Sequence, residues 1–447
     1  MATTYLSKTL GTPTNTKIWT FSAWCKRSIP DATGTLISSG SSTTDTISMA
    51  SNGKLNYYVA AGNSGQLTTN RLFQDVSGWY HIVVAVDTTQ STASNRIKIY
   101  VNGVQETSFS TETYPSQNFD TKMNSAILHT IGGYSEGSSG EFWNGLMTQV
   151  ILVDGLQLTP STFGSINSTS GIWVGNTSPT VTYGNNGFNL DMANSSDMGN
   201  DVSGNANDFT VIAGTLIQIK DCPDNVFSTL NPLYVINAGQ MPTLTNGNTT
   251  GTSTSSGYNS GVASIAPSSS GKYYSEHKLI SGTGGWETNT LVGYSPTPDL
   301  IPNAPHDSNF YYGVLADGDA KQGATSRTGY AGTWTAGDII QLALDLDNNK
   351  LYVGKNGLWA DGSGNWDEAN INAFLDLTAS PAVAGDNWFV ICGDKNTSTA
   401  TWGNNFGNGY FGTTAVSSAG TNASAIGIFE YDVPTGFTAL STKGLNL

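Results

Sequence analysis

The chain has 447 residues, 38% of them hydrophobic and 10% aromatic, which is enough for two or three domains with cores of their own and too apolar for disorder. Charged residues make up only 11%, against roughly 25% in an ordinary soluble domain, and Ser, Thr, Asn and 52 Gly fill the gap. A net charge of −15, spread along the chain, excludes a general nucleic-acid binder and disfavours a role on anionic membrane surfaces.

This palette suits short strands and turns, because Gly and Asn tolerate positive φ and Ser and Thr bond to nearby backbone. No apolar run at helical spacing occurs, and no stretch approaches the length of a membrane span. In chain order, Thr16–Lys26 alternates with Trp19, Phe21 and Ala23 on one side. Ile47–Ala60 carries Asn52-Gly53 between strand-like flanks, a hairpin signal. Trp79–Asp87 is an apolar strand expected to be central and buried on both faces. Arg96–Val104 alternates Ile97, Ile99 and Val101 and turns at Asn102-Gly103. Ile127–Tyr134, Glu141–Val153 and Gly187–Met192 supply further strands.

The second half repeats this order of events. Ile339–Asp347 is an apolar strand ending in Asp, and Lys350–Gly357 ends at Asn356-Gly357, as Val83–Asp87 and Ile97–Gly103 do earlier. This is a repeat of architecture, one sandwich per half. Met241–Gly261 is nearly free of apolar residues and reads as a surface loop or flexible linker. Gly427–Leu440 reads as an ordered closing strand and turn. The expected division is a first sandwich with its closing segment over 1–215, a linker over 216–262 and a second sandwich over 263–447.

The series WYHIVVAVDTTQ, IKIYVNGVQ, HTIGGY and EFWNGLMTQVILVDGLQLTPSTF, from Trp79 to Phe163, resembles the laminin-G-like, concanavalin A-like lectin family. GNDVSGNANDFT at Gly199–Thr210 resembles a turn common in that superfamily. SGKYYSEHKLI, GDIIQLALDLDNNKLYVGKNGLW, TWGNNFG and VPTGFTAL resemble a SPRY domain, also a concanavalin-like sandwich. The implied fold class is all-β, with two concanavalin-like antiparallel jelly-roll sandwiches. The pairing of the two modules, with the "STLNPL" phrase at Ser228–Leu233, resembles virion structural proteins of tailed phages, particularly those of marine bacteria.

That resemblance implies a virion-surface location. It fits an N-terminus without an apolar signal core: such proteins are made in the host cytoplasm and leave by lysis. The implied function is adhesion, as a tail fibre or capsid appendage, to a host-surface glycan or protein. The alternative is a decoration or adaptor protein that binds only other virion structural proteins. A homo-oligomer is expected because virion appendages usually are. No membrane insertion and no nucleic-acid partner are expected.

Catalysis has little to build on. Some concanavalin-like sandwiches are glucanases, with paired Glu residues on one strand face, and no such run occurs here. Asp345 and Asp347 share a strand face, but Asp347 leads into a turn and reads as its cap. His81, His129, His277 and His306 show no zinc-binding spacing, and no nucleophile elbow or phosphate loop is present. The chain is therefore expected not to be an enzyme. Cys25, Cys222 and Cys392 form no disulfide framework and read as buried apolar residues.

Calcium is the one metal to weigh, through oxygen ligands at a loop rim. Asp191, Asp197, Asp201, Asn205 and Asp208 are the candidates, and a polar turn capping its own backbone is the favoured reading. The family often carries an Asp-Glu pair where Thr148 and Gln149 stand, which weakens a calcium site further. Carbohydrate binding needs aromatic platforms beside amides and hydroxyls. Tyr134, Trp143, Trp286, Trp359 and Trp366 lie in polar, Gly-rich surroundings and are the exposed candidates. Trp359 and Trp366 flank ADGSGN, whose Asp361 and Asn365 supply acceptors and donors. For each aromatic singly, covering the sandwich edge is the favoured reading.

Overall fold

A computed structural model of the chain describes residues 3–41, 44–60, 62–134, 140–234, 241–253, 259–283, 290–298, 308–378, 387–394 and 399–447. The chain forms two compact units, Met1–Gln218 and Ile219–Leu447. Each is built on two large, mainly antiparallel sheets with a two-stranded ribbon beside them, and no helix among the described residues is long and apolar enough to cross a membrane.

In the first unit an eight-stranded sheet packs on a six-stranded one. The smaller sheet is centred on Ile18–Arg27 and Tyr80–Asp87, with Gly145–Asp154 and Ile97–Val101 on their flanks. Strand Tyr80–Asp87 is buried along nearly its whole length, as its β-branched run requires. Ile82, Val84 and Val86 face the inter-sheet core with Trp19, Phe21 and Cys25. Val83 and Ala85 face outward, where Tyr100, Phe163, Leu158 and Val181 cover them. The irregular segment 155–187 thus clads a sheet face that would otherwise meet water.

The second unit has a ten-stranded sheet around Lys272–Thr283, Ile339–Asp345 and Lys350–Lys355, and a six-stranded sheet around Thr290–Ser295 and Phe389–Asp394. Its larger sheet is clad in the same way. Tyr274, Ala343, Tyr352 and Trp359 pack outward against Phe429, Val433 and Phe437. The closing segment is largely irregular, with only Thr438–Ala439 joining the sheet, parallel to Tyr273 and Tyr274.

Part of the stretch expected as a linker over 216–262 is instead pleated into this unit. Thr243–Thr245 pairs with Thr250–Thr252, which pairs with the strand Thr399–Asn405. Ser260–Val262 pairs with Phe389–Asp394. The Thr-rich sequence has few apolar residues because these strands sit at or next to sheet edges, where ladder hydrogen bonds do much of the holding.

The repeat between halves holds at the level of single hydrogen bonds. Asn102 and Gly103 have φ of 48° and 81°, and Asn356 and Gly357 have 51° and 89°, so both hairpins turn through the left-handed region. Asn102 N–H donates to the His81 carbonyl at 2.9 Å and its Oδ1 accepts from His81 N–H at 2.8 Å. Asn356 does the same to Ile339, at 3.0 and 2.8 Å. In each unit one asparagine closes the hairpin and pins the start of the preceding strand.

Candidate functional site

The sequence-derived residues fall into three groups. Trp286 lies outside the described residues. Trp143 and Trp359 are core residues rather than exposed platforms. Trp143 is 7% exposed, its Nε1 donates to the Leu146 carbonyl at 3.2 Å, and its ring lies over Gly34. Trp359 is 5% exposed and belongs to the outward-facing cluster under the closing segment. Both read as exposed because their neighbours are polar. Their own side chains point to the buried face. Tyr134 is half-buried, and its hydroxyl accepts from Thr44 Oγ1 at 2.9 Å.

The calcium candidates are engaged with backbone. Asp201 accepts from the amides of Asn189, Ser203 and Asn207 at 2.8, 2.9 and 2.9 Å and from Ser203 Oγ at 2.8 Å. Asp208 accepts from Asp201 N–H at 2.9 Å. Asn205 donates to the carbonyls of Gly184 and Gly187 at 2.6 and 2.9 Å. Asp191 and Asp197 cap the amides of Ala193 and Gly199. Among the described residues no group of three or more His, Cys, Asp or Glu side chains gathers as a metal site.

Asp361, Asn365 and Trp366 do come together, at one end of the second unit. Leu358–Ala360 and Trp366–Glu368 form a short hairpin next to Lys350–Lys355. Its loop is held by one carboxylate. Asp361 accepts from the amides of Ser363 and Asn365 at 2.6 and 3.0 Å and from Asn365 Nδ2 at 2.8 Å. The Asn365 amide, then the backbone donors, hold the Asp361 carboxyl below the usual carboxylate range. The indole of Trp366 lies on Gly332, where a Cβ would stand 2.7 Å from its Cδ1. Its Nε1 donates to the Thr333 carbonyl at 3.3 Å.

The result is an open pocket of about 610 Å³. Trp366 and Leu358 give it apolar walls, and Lys355, Asn356, Asn365 and Asp367 give it polar ones. Leu358 is 43% exposed, high for a leucine on a strand. Lys355 Nζ donates to the Thr333 carbonyl at 3.0 Å and sits 3.7 Å from Asp338. Asn356 Nδ2 donates to the other Asp338 oxygen at 2.6 Å. Trp366, Lys355, Asn356 and Asn365 are each held by a bond to a neighbour, so most of the site is built before any ligand arrives. Lys355, Asn356, Leu358 and Asp367 were not picked from sequence. Their signal was the Asn356-Gly357 turn, which lays the strand before it beside the ADGSGN loop.

The catalytic-looking groups lie elsewhere and are closed off. Ser275 Oγ is 2.8 Å from His277 Nε2, and His277 Nδ1 is 2.7 Å from Asn404 Oδ1, but all three residues are fully buried. Ser22 Oγ is 2.8 Å from His81 Nε2, and His81 is stacked between Trp24 and Trp173. Burial pushes His81 down to about 3 and His277 down to about 4. Asp345, not Asp347, caps the Asn348 turn, accepting from its amide at 3.0 Å, and Lys272 pairs with it at 3.0 Å. Asp347 accepts from Gly271 N–H at 2.8 Å.

Both units are sandwiches of antiparallel sheets, and the pocket belongs to the second of them. Residues 2–161 match the family described as the concanavalin A-like lectin/glucanases superfamily. No curated protein matches the chain. Among solved structures, the SPRY domain of human HERC1 is 18% identical over 38% of this chain and 90% of that one, with a TM-score of 0.28. Domains LG4-5 of the mouse laminin alpha1 chain are 11% identical over 87% of this chain and 78% of that one, with a TM-score of 0.26. A heptameric SAP-like pentraxin from Limulus polyphemus is 18% identical over 40% of this chain and 88% of that one, with a TM-score of 0.29.

Proposed function

We propose that this protein is a non-enzymatic binding protein of a phage virion surface that attaches to a host-surface glycan or protein. The observation that carries the binding reading is the Trp366 pocket: a half-buried indole and an exposed leucine beside amide and carboxylate groups, preorganised by the Asp361 loop. Concanavalin-like sandwiches present such loops at their ends, and a rigid scaffold under a loop site is what recognition needs. The virion placement rests on the sequence resemblance alone. The non-enzymatic reading is supported by the full burial of the Ser275, His277 and Asn404 set, which no substrate can reach.

The test is a glycan array that includes bacterial-envelope polysaccharides, run on folded protein with and without calcium. Specific binding that disappears in Trp366→Ala supports adhesion through this pocket. Clean absence of binding moves the assignment to a decoration or adaptor protein. One observation favours that second reading. Val104, Ile166 and Ile172 are 62%, 67% and 64% exposed, and the segment 155–190 around the latter two holds no charged residue. A surface of that kind suits contact with another protein.

A further inference from the structure

Charge around the Trp366 pocket is lopsided. Three carboxylates stand in or next to it: Asp367 lines it, Asp361 holds its loop, and Asp338 backs Lys355 and Asn356. Among the described residues the only cation in the lining is Lys355, whose ammonium is already drawn to the Thr333 carbonyl and to Asp338. Arg327, near the loop glycine Gly362, stacks on Tyr330 and donates to the Phe374 carbonyl. Both positive groups are thus engaged within the protein, though each keeps further N–H donors.

Several donors are engaged as well. Trp366 Nε1 and Asn365 Nδ2 are bonded to Thr333 and Asp361, and Asn356 Nδ2 to Asp338. Asp367 and Asn365 line the open space together with the apolar indole and Leu358. A complementary ligand brings its own donors and a flat apolar face. A carboxylate on such a ligand would be desolvated beside like charges, with the nearest cation already drawn to Asp338.

We infer that the Trp366 pocket selects uncharged, hydroxyl-rich glycans and discriminates against those bearing uronic or sialic acids, an inference that rests on reading this pocket as the ligand site. A sugar ring fits both demands, with its C–H face on the indole and its hydroxyls donating to Asp367 and Asn365. A lysine or arginine side chain would meet the charge but not the breadth of an open site of about 610 Å³.

The experiment is biolayer interferometry of the full chain against matched pairs of immobilised polysaccharides, neutral galactan or mannan against polygalacturonate or alginate, with an arginine-rich peptide as competitor. The expected result is binding to a neutral member at least about tenfold tighter than to its acidic counterpart. Asp367→Lys should narrow that gap, and Leu358→Ser should weaken neutral binding, with melting curves confirming that both variants fold. Equal or tighter binding of the acidic member, lost in Trp366→Ala, overturns the selectivity and leaves the pocket as a glycan site. Displacement by the peptide, with no glycan bound, overturns it in favour of a basic protein partner. Binding of neither glycan nor peptide removes the pocket reading itself.

Discussion

Glu276 ties the closing segment of the second unit to its large sheet, and its titration is a direct probe of that junction. The residue is fully buried. Its carboxyl accepts from the amides of Glu430 and Tyr431 at 2.8 and 2.9 Å, from the Tyr274 hydroxyl at 3.0 Å and from Asn405 Nδ2 at 3.3 Å. Burial outweighs these four donors and pushes the carboxyl up to about 7 from its ordinary 4.5. An unfolded chain loses this proton near 4.5 and the folded chain keeps it to about 7. The group's contribution is therefore complete below pH 4.5 and is lost as pH rises through 7. Between pH 5 and pH 8 the loss is ~2–3 kcal/mol. Urea unfolding of the wild type and of Glu276→Gln at both pH values, followed by tryptophan fluorescence, isolates the effect, because His277 titrates in both proteins and cancels. The advantage of wild type over the variant should shrink by that amount from pH 5 to pH 8. An unchanged advantage would mean that Glu276 is ionised throughout and that its donors, not burial, set its state.

Other expectations follow from buried groups. His81 is held neutral between two indoles, with Nδ1 accepting from Trp173 Nε1 at 3.0 Å. Its pull on stability is present above pH 6.5 and lost as pH falls through about 3, so imidazole NMR should find it uncharged at pH 4.5. Native-state thiol titration should label Cys222 alone, since Cys25 and Cys392 are buried and burial pushes the Cys392 thiol up to about 12. Rapid labelling of two or three thiols in folded protein would contradict this. Asp201→Ala strips four hydrogen bonds from one turn and should cost the first unit ~2–4 kcal/mol in denaturant unfolding. Calcium at millimolar concentration should leave the wild-type melting temperature unchanged, and a rise would point to a site that those amides do not exhaust.

The sandwiches were legible because alternation and turn chemistry are local. Ile97, Ile99 and Val101 fall on one face, and Asn102-Gly103 and Asn356-Gly357 turn where the strands demand positive φ. What the sequence hid is the second layer. Irregular segments cover the outer sheet faces, so both sides of a strand such as Tyr80–Asp87 are apolar and periodicity cannot tell inside from outside. Trp359 was misplaced for that reason: ADGSGN is polar, yet the indole packs under Phe429, Val433 and Phe437 from the far end of the chain. Trp366, seven residues on, falls across a register shift in the same hairpin and lies on Gly332, half-exposed. The edge strand Thr243–Thr245 and its neighbour Thr250–Thr252 were read as linker because a strand held mainly by its ladder needs few apolar residues.

The central claim, that the Trp366 pocket is where this protein meets its ligand, is tested most directly by fluorine NMR. The protein is labelled with 5-fluorotryptophan, and the Trp366 resonance is assigned by its loss in Trp366→Phe. Titration with neutral bacterial-envelope oligosaccharides should shift or broaden that resonance in a saturable way while the buried Trp143 and Trp359 signals stay fixed. A bound ligand that moves other tryptophan signals and leaves Trp366 untouched would contradict the account.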